Sequence, residues 1–513
     1  MSRPLLVLGL DGLDPVLLEG FLAEESLPSL APLVAAGARE LEPGDERWSG
    51  LAWEQFTAGR PESTRRRSST VGFDPTTYAV GQPTSRTLPF TAELDVPVVA
   101  FDVPYFDLVM GRARGLGAWG AHDPGVARHA VPRELVDEVA QRFGPYPAPQ
   151  WIYGFTWPDA EATRRMGEDL ARAVDVRAEV ALWMLGQRLP GWQLGLVVIG
   201  ELHGAVEALW HGADPAHPLA GHESASAARE ALRVIVRAMD RLVGRLIEAF
   251  PGADIVAFMP HGMGVNHADV AAMLLLPELL LRHETGERAY EPPPEGLPGE
   301  SAPWPEGMDW SATVLRHFRA PSASRRGLRR RRVPDTRDGR GQELMWMPAA
   351  RYRGAWARMR AFALPSFYDS RVRLNVVGRE AHGRVRPREA SAVLDDLERL
   401  LAETRDPTTG QAVDVRIERA PVDQLLTRHP DDADLVVSWP RRVHALEHPR
   451  HGLIGPAPWR RTGGHTGGTG RLAVLAGDVN DLPERLGAPD TVSAWALRRV
   501  VAAERGVARA FGG

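Results

Sequence analysis

Near the amino terminus a continuously apolar run, Leu5–Leu10 (LLVLGL), stops abruptly at Asp11-Gly12. A run this short and this evenly apolar predicts a strand buried on both faces, as in a parallel sheet covered by helices. Its end delivers a carboxylate where the strand leaves the core, and the following glycine lets the backbone bend. The pattern recurs. Leu5–Leu10 is followed by helical signals over Val16–Ala36, Val98–Phe101 reads as another strand, Leu194–Gly200 leads into the helical stretch Ala205–Leu209, and Ile255–Met259 is a further strand. Short β-rich runs between longer amphipathic ones predict an α/β fold, with a mostly parallel central sheet sandwiched by helices and carrying inserted cap segments. In such sheets ligands sit outside the carboxyl ends of the strands. Those positions hold Asp11, Glu201 with His203, and His261.

The chain has 513 residues, of which 44% are hydrophobic and 25% charged, so it is globular and too long for one ordinary core. Lys and Arg (61) against Asp and Glu (66) give a net charge of −5, which points away from a nucleic-acid polymer or an anionic membrane as partner. There is no cysteine and no lysine. Disulfides, thiolate nucleophiles, Cys-ligated zinc, Schiff bases and a P-loop lysine are therefore excluded. The apolar run Pro4–Leu10 lacks a small-residue cleavage site, and Ala271–Leu281 is broken by Pro277 and falls far short of the roughly 20 residues of a membrane span. The expectation is a soluble, cytoplasmic chain. A stretch rich in Pro, Gly and Arg over 284–345, including Arg329–Arg332, reads as an excursion or partly mobile loop. It divides a core made of 1–283 and 346–513, with a cap insertion expected at about 105–190. Past it, Arg371–Val377 and Asp434–Ser438 read as strands and Ser391–Glu403 as an amphipathic helix.

Four motifs could carry chemistry. Ser49, in Trp48-Ser49-Gly50-Leu51-Ala52-Trp53, precedes an expected helix; there a hydroxyl either caps the helix or faces a metal, where the dipole stabilises an alkoxide or phosphate. His203 and Glu207, four apart, share a helical face and can bind one ion together. His261 lies in Pro260-His261-Gly262-Met263-Gly264, and His465 closes the glycine-rich Arg461-Thr462-Gly463-Gly464-His465. Taken singly, such an Asp is most often a cap and such a His a structural core residue.

As a set, Asp11 in LGLDG, WSGLAWEQFTAGRP and the final RTGGH resemble the type I phosphodiesterase/nucleotide pyrophosphatase group of the alkaline phosphatase superfamily. Support outside the site comes from Phe73-Asp74-Pro75 with Thr77-Tyr78, Ala363–Ser366 leading into Arg371–Asn375 and Gly378-Arg379-Glu380, Asp406-Pro407 with Thr409-Gly410, and Ile454-Gly455-Pro456 before Arg460–Gly463. The resemblance spans most of the chain in order and fades over about 110–190 and 284–345. It implies an alkaline phosphatase-like fold and a metal-dependent phosphodiesterase or related hydrolase of phosphate esters, with Ser49 as nucleophile. By the resemblance, Asp11, Ser49, His203, Glu207, His261 and His465 are metal-binding positions for one or two divalent ions, usually zinc, and the partner is a small-molecule phosphate ester.

Two departures from the family pattern matter. Asp becomes His at 203 and His becomes Glu at 207, so His203, Glu207 and His465 still offer two imidazoles and a carboxylate. Pro260 stands where the family has a liganding Asp, which leaves Asp11, Ser49 and His261 for the second ion unless Asn266, His267 or Asp269 substitutes. Two histidines with one carboxylate also form the facial triad of non-haem iron enzymes, so a repurposed single-metal enzyme, with iron as the ion, is the alternative. A non-catalytic binder is a third reading. Oligomeric state and substrate identity are not legible.

Overall fold

The computed structural model describes residues 3–42, 51–59, 69–152, 159–293, 310–321, 342–344 and 347–511. Twelve strands and nine helices matter for the site. The central sheet contains β1 (Leu5–Leu10), β2 (Arg39–Leu41), β3 (Val98–Phe101), β4 (Arg114–Gly117), β5 (His129–Val131), β6 (Leu194–Ile199), β7 (Asp254–Met259) and β12 (Gly470–Ala476). A second sheet contains β8 (Ala361–Leu364), β9 (Ser370–Leu374), β10 (Arg416–Arg419) and β11 (Leu435–Ser438). The helices are α1 (Pro15–Leu22), α2 (Ala52–Ala58), α3 (Ala160–Trp183), α4 (Glu201–Leu209), α5 (Ala225–Ala249), α6 (Leu276–Thr285), α7 (Trp310–Arg316), α8 (Ala390–Ala402) and α9 (Asp490–Phe511).

The central sheet runs β2-β12-β7-β1-β6-β3-β4-β5. Its heart, β7-β1-β6-β3-β4, is parallel, and antiparallel pairs close both edges. This is the mostly parallel, helix-covered sheet that the sequence predicts. β1 lies between β6 and β7, with Leu5 opposite both Leu194 and Asp254. Its side chains alternate between two cores: Leu6, Leu8 and Leu10 pack against α1, α3 and α5, while Leu5 and Val7 pack with Trp53 and Phe56 of α2 and Trp495 of α9. A strand walled on both sides has no polar face, which is why its sequence is an unbroken apolar run.

The stretch 105–190 differs from the cap expected there. It supplies β4 and β5 to the central sheet, and α3 packs along α5 as part of the main core. RGLG is short and half glycine, and HAV has only three residues, so neither announces itself as a strand. Parts of 284–345 are also packed: Tyr290 bridges to Phe318, and the Trp310 indole of α7 donates to the Pro458 carbonyl (3.1 Å). The run Arg329–Arg332 lies outside the described residues.

The second sheet is antiparallel, in the order β8-β9-β11-β10, and shares an apolar cluster with α6, α7 and α8. Arg371 and Arg373 of β9 are buried, each offset by a carboxylate, Asp369 and Glu380 respectively. No described helix is long and apolar enough to cross a membrane.

Candidate functional site

The sheet brings three strand ends together. β1 ends at Asp11, β6 at the start of α4 with His203 and Glu207, and β7 at His261. Gly12 makes the first approach possible. At φ +79° it takes a conformation that favours glycine, and a Cβ there would lie 2.5 Å from the His203 Cα. Asp14, which caps α1 through the Leu17 N–H (2.9 Å), also accepts from the Met263 N–H (2.8 Å), tying the β1 exit to the loop carrying His261. The glycine-rich loop folds onto α4 so closely that a Cβ on Gly463 would meet the Val206 carbonyl at 2.2 Å. Gly264 pairs with Gly464, which sets His261 and His465 side by side.

The result is one continuous chain of side chains rather than two separate ligand sets. His203 Nδ1 lies 2.8 Å from Asp11 Oδ2, His203 Nε2 is 3.1 Å from His465 Nε2, and His465 Nδ1 is 3.0 Å from His261 Nδ1. Glu207 Oε1 is 3.8 Å from His203 Nε2. Two imidazole nitrogens this close require a proton or a cation between them. A tetrahedral ion with metal–ligand bonds of about 2.0–2.2 Å holds its donor atoms roughly 3.3 Å apart. The 3.1 Å contact between His203 Nε2 and His465 Nε2 is of that order, with the Glu207 carboxylate somewhat farther off. Two buried carboxylate oxygens at the site, Asp11 Oδ1 and Glu207 Oε2, have no hydrogen-bond partner among the described residues. Each carboxylate is partnered through its other oxygen, but a buried carboxylate oxygen left without a donor is still costly, and a cation is one remedy. The donor set of His203, Glu207 and His465 therefore fits a divalent ion.

In the metal-free cluster, charge is unevenly shared among these side chains. Burial opposes a charge on His203, but the carboxylates of Asp11 and Glu207 outweigh it and raise the imidazole to about 10. Burial would likewise raise Asp11, yet the charge and hydrogen bond of His203 hold it below its ordinary value. Glu207 is held well below the carboxylate range because the Arg461 guanidinium and His203 overcome its burial. Burial pushes His261 down to about 4 and His465 well below the usual imidazole value, with neighbouring imidazoles adding repulsion. Without metal, His203 is the charged imidazole of the cluster.

Not every candidate joins it. Ser49 lies outside the described residues, but Ala52 and Trp53 of the same motif line the cavity with Asp11. Glu201, expected with His203 at the strand end, turns away and forms a buried ion cluster with Arg177 (2.8 Å), which also pairs with Asp102 (2.9 Å). Of the three residues considered as substitutes at position 260, Asp269 and Asn266 are committed elsewhere, and His267 keeps a buried Nδ1 with no hydrogen-bond partner among the described residues. Asp269 is held bidentately by Arg461 (2.6 and 2.7 Å) and also receives Arg460 (2.7 Å). The Asn266 side-chain oxygen accepts backbone N–H groups of Ala268 and Asp269. His267 sits within the field of Arg442, in a separate group with His217. Pro260 itself is buried at the end of β7.

Three site residues escape sequence reasoning. His122, in the loop after β4, stacks face to face on His203 with ring centroids 4.0 Å apart and planes 14° apart. One ligand atom from each of His122, His203 and Glu207 falls within 4.8 Å of the other two. An ion in the plane of one stacked ring nevertheless lies over the face of the other, so the stack disfavours both imidazoles binding one ion. The His203 and His465 planes stand at 75°, which suits shared coordination. Tyr368 donates to Glu207 Oε1 (2.7 Å), and Arg461 pairs with the same oxygen. Nothing local in the sequence marks Tyr368; Arg461 was visible only as part of its motif. The cluster opens into a cavity of about 470 Å³, lined also by Trp53, Tyr105, Trp310, Arg351 and Arg460.

No protein-family model matches the chain, and no curated protein matches it in sequence. Among solved structures it is similar to the phosphonoacetate hydrolase of Sinorhizobium meliloti 1021 in complex with phosphonoformate, at 13% identity and a TM-score of 0.48 over 97% of this chain and 96% of that one. It is also similar to murine ectonucleotide pyrophosphatase/phosphodiesterase 5 (8% identity, TM-score 0.40, 98% and 95% covered). The human counterpart gives 8% identity and a TM-score of 0.44 over the same shares. The likeness is distant, and the chemistry of the site rests on this chain's own side chains.

Proposed function

We propose that this chain is a metal-dependent hydrolase of small phosphate esters, phosphodiesters first among them. One observation carries the reading: His203 is turned by Asp11 so that its Nε2 faces both Glu207 and His465 at the carboxyl ends of a parallel sheet. Zinc suits this donor set, and when bound it would supply positive charge against the phosphoryl oxygens. The chain's own residues would do the rest. Arg351 lines the cavity and would favour an anionic substrate, whereas Arg460 and Arg461, which also line it, are paired with Asp269 and Glu207. Ser49 is the proposed nucleophile. Its support is the motif it stands in and the position of Trp53, four residues on, in the cavity wall beside Asp11. The Ser49 hydroxyl would attack phosphorus as the ester oxygen leaves with a proton, and water would then hydrolyse the phosphoseryl ester. Protein purified without chelators should contain zinc and cleave bis(4-nitrophenyl) phosphate, and Ser49→Ala should abolish turnover with metal content unchanged. Undiminished turnover in Ser49→Ala, or none in zinc-loaded wild type on any phosphate mono- or diester, would sink the assignment.

A second reading has its own support. Asn266 and Asp269 are committed elsewhere, so the position beside His261 lacks the carboxylate that a second ion needs. A single ion held by two histidines and one carboxylate also suits iron and a chemistry other than phosphoryl transfer. One equivalent of iron, with no phosphoesterase activity after zinc loading, would favour it.

A further inference from the structure

Glu207 uses its two oxygens differently. Oε1 receives the Tyr368 hydroxyl at 2.7 Å and the Arg461 guanidinium, while Oε2 is buried with no hydrogen-bond partner among the described residues and lies 3.9 Å from His122 Nε2. Arg461 cannot swing away cheaply, because Asp269 grips it through two parallel bonds of 2.6 and 2.7 Å and all three groups are buried. Tyr368 is likewise pinned, its ring beside both His465 (centroids 5.1 Å) and the Arg461 guanidinium (5.2 Å). The side chains that fix Glu207 thus come from three remote places: Asp269 after β7, Tyr368 before β9, and Arg461 before His465.

We propose that Tyr368 and Arg461, with Asp269 behind Arg461, are positioning residues that make Glu207 a one-oxygen ligand. The inference rests on the metal reading given above. A carboxylate whose Oε1 is saturated by a hydroxyl and a guanidinium has only Oε2 left for an ion, so it binds through one bond and leaves the ion a position for substrate. Freed of those donors, the same carboxylate can close over the ion with both oxygens, filling that position. Outer partners of this kind typically set metal affinity by about 10–100-fold.

Cobalt(II) tests this, because its visible absorption is intense in four-coordinate sites and weaker in five-coordinate ones. Purified full-length protein is stripped of metal and titrated with cobalt chloride, wild type beside Tyr368→Phe and Asp269→Asn. Tyr368→Phe removes one hydroxyl and no bulk, so its fold should survive; Asp269→Asn loosens Arg461 while keeping the volume. Both variants should bind cobalt with weaker, shifted bands and at least about tenfold altered affinity. Spectra and affinity in Tyr368→Phe and Asp269→Asn identical to wild type would overturn the positioning role while leaving the metal site standing. A wild type that binds no cobalt would overturn the metal reading and this inference together.

Discussion

The hydrogen bond of 2.8 Å between His203 Nδ1 and Asp11 Oδ2 joins the end of β1 to the first turn of α4. It fixes which imidazole nitrogen faces the cluster, and it leaves Nε2 for His465 and Glu207. A carboxylate behind a histidine is the common way to orient a metal ligand and raise its basicity. Asp11→Asn keeps the shape and removes the charge. It should lower zinc affinity by about 10–100-fold while leaving the fold intact, as read by competition with a chromophoric chelator. Unchanged affinity would show that Asp11 does not orient His203 towards an ion.

The ring planes separate two claimants to the third ligand. His465 stands at 75° to His203, whereas His122 lies nearly parallel to it at 14°. His465→Ala should lose bound zinc on dialysis, and His122→Ala should keep it. The opposite pattern would move the second imidazole to His122.

Arg177 is fully buried between Asp102 and Glu201 and lies over the rings of Phe101 and Trp119. Asp102 in turn receives the N–H groups of Trp119 and Gly120, just before the loop that carries His122. Arg177→Met would leave two buried carboxylates without their cation and should cost about 3–5 kcal/mol in urea unfolding. A loss under about 1 kcal/mol would mean that water or rearrangement compensates.

Much of this was legible because parallel strands buried on both faces write themselves as unbroken apolar runs. β1, β6 and β7 stand out for that reason, and Asp11, His203 and His261 stand out as the polar residues that end those runs. β4 and β5 carry no such signal, so the sheet's far edge and its His122 loop read as a cap. Helical spacing correctly put His203 and Glu207 on one face, but it could not foresee the direction of Glu201. Glu201 points to Arg177, twenty-four residues back on α3, and that pairing is a product of tertiary packing. Tyr368 meets Glu207 across 161 positions, beyond any local pattern. Asp269 looked available as a ligand because its two arginine partners are almost two hundred residues away.

Beneath the site, burial pushes His211 down to about 3 and His217 down to about 4, with neighbouring histidines adding repulsion in both cases. Arg442 adds to the repulsion at His217, while Asp214 opposes it. The unfolded chain, with histidines near 6.5, binds protons that the folded state refuses. Stability conferred by the neutral rings is therefore full above about pH 6.5 and falls as pH drops towards 4. His217→Gln should flatten that limb of a stability–pH curve measured by urea unfolding between pH 7 and 4. A curve with the wild-type slope would show that other groups set it.

The last prediction concerns Pro260. It stands at the end of β7 beside His261; of the neighbours that might have supplied a donor, Asp269 holds two arginines and Asn266 binds backbone, while His267 keeps an Nδ1 without a partner among the described residues but does not line the cavity. A second ion near Asp11 and His261 would then lack one anionic oxygen, and each charged ligand offsets part of the cost of stripping water from the ion. Wild type should therefore bind one zinc tightly and a second weakly or not at all, with slow turnover of aryl phosphodiesters. Pro260→Asp restores a carboxylate and also a backbone N–H, and should raise both second-ion occupancy and turnover. Metal content by mass spectrometry, read beside the rate on bis(4-nitrophenyl) phosphate, decides it. Two tightly bound zinc ions and fast turnover in the wild type would show that another residue, His267 first in line, already completes the second position.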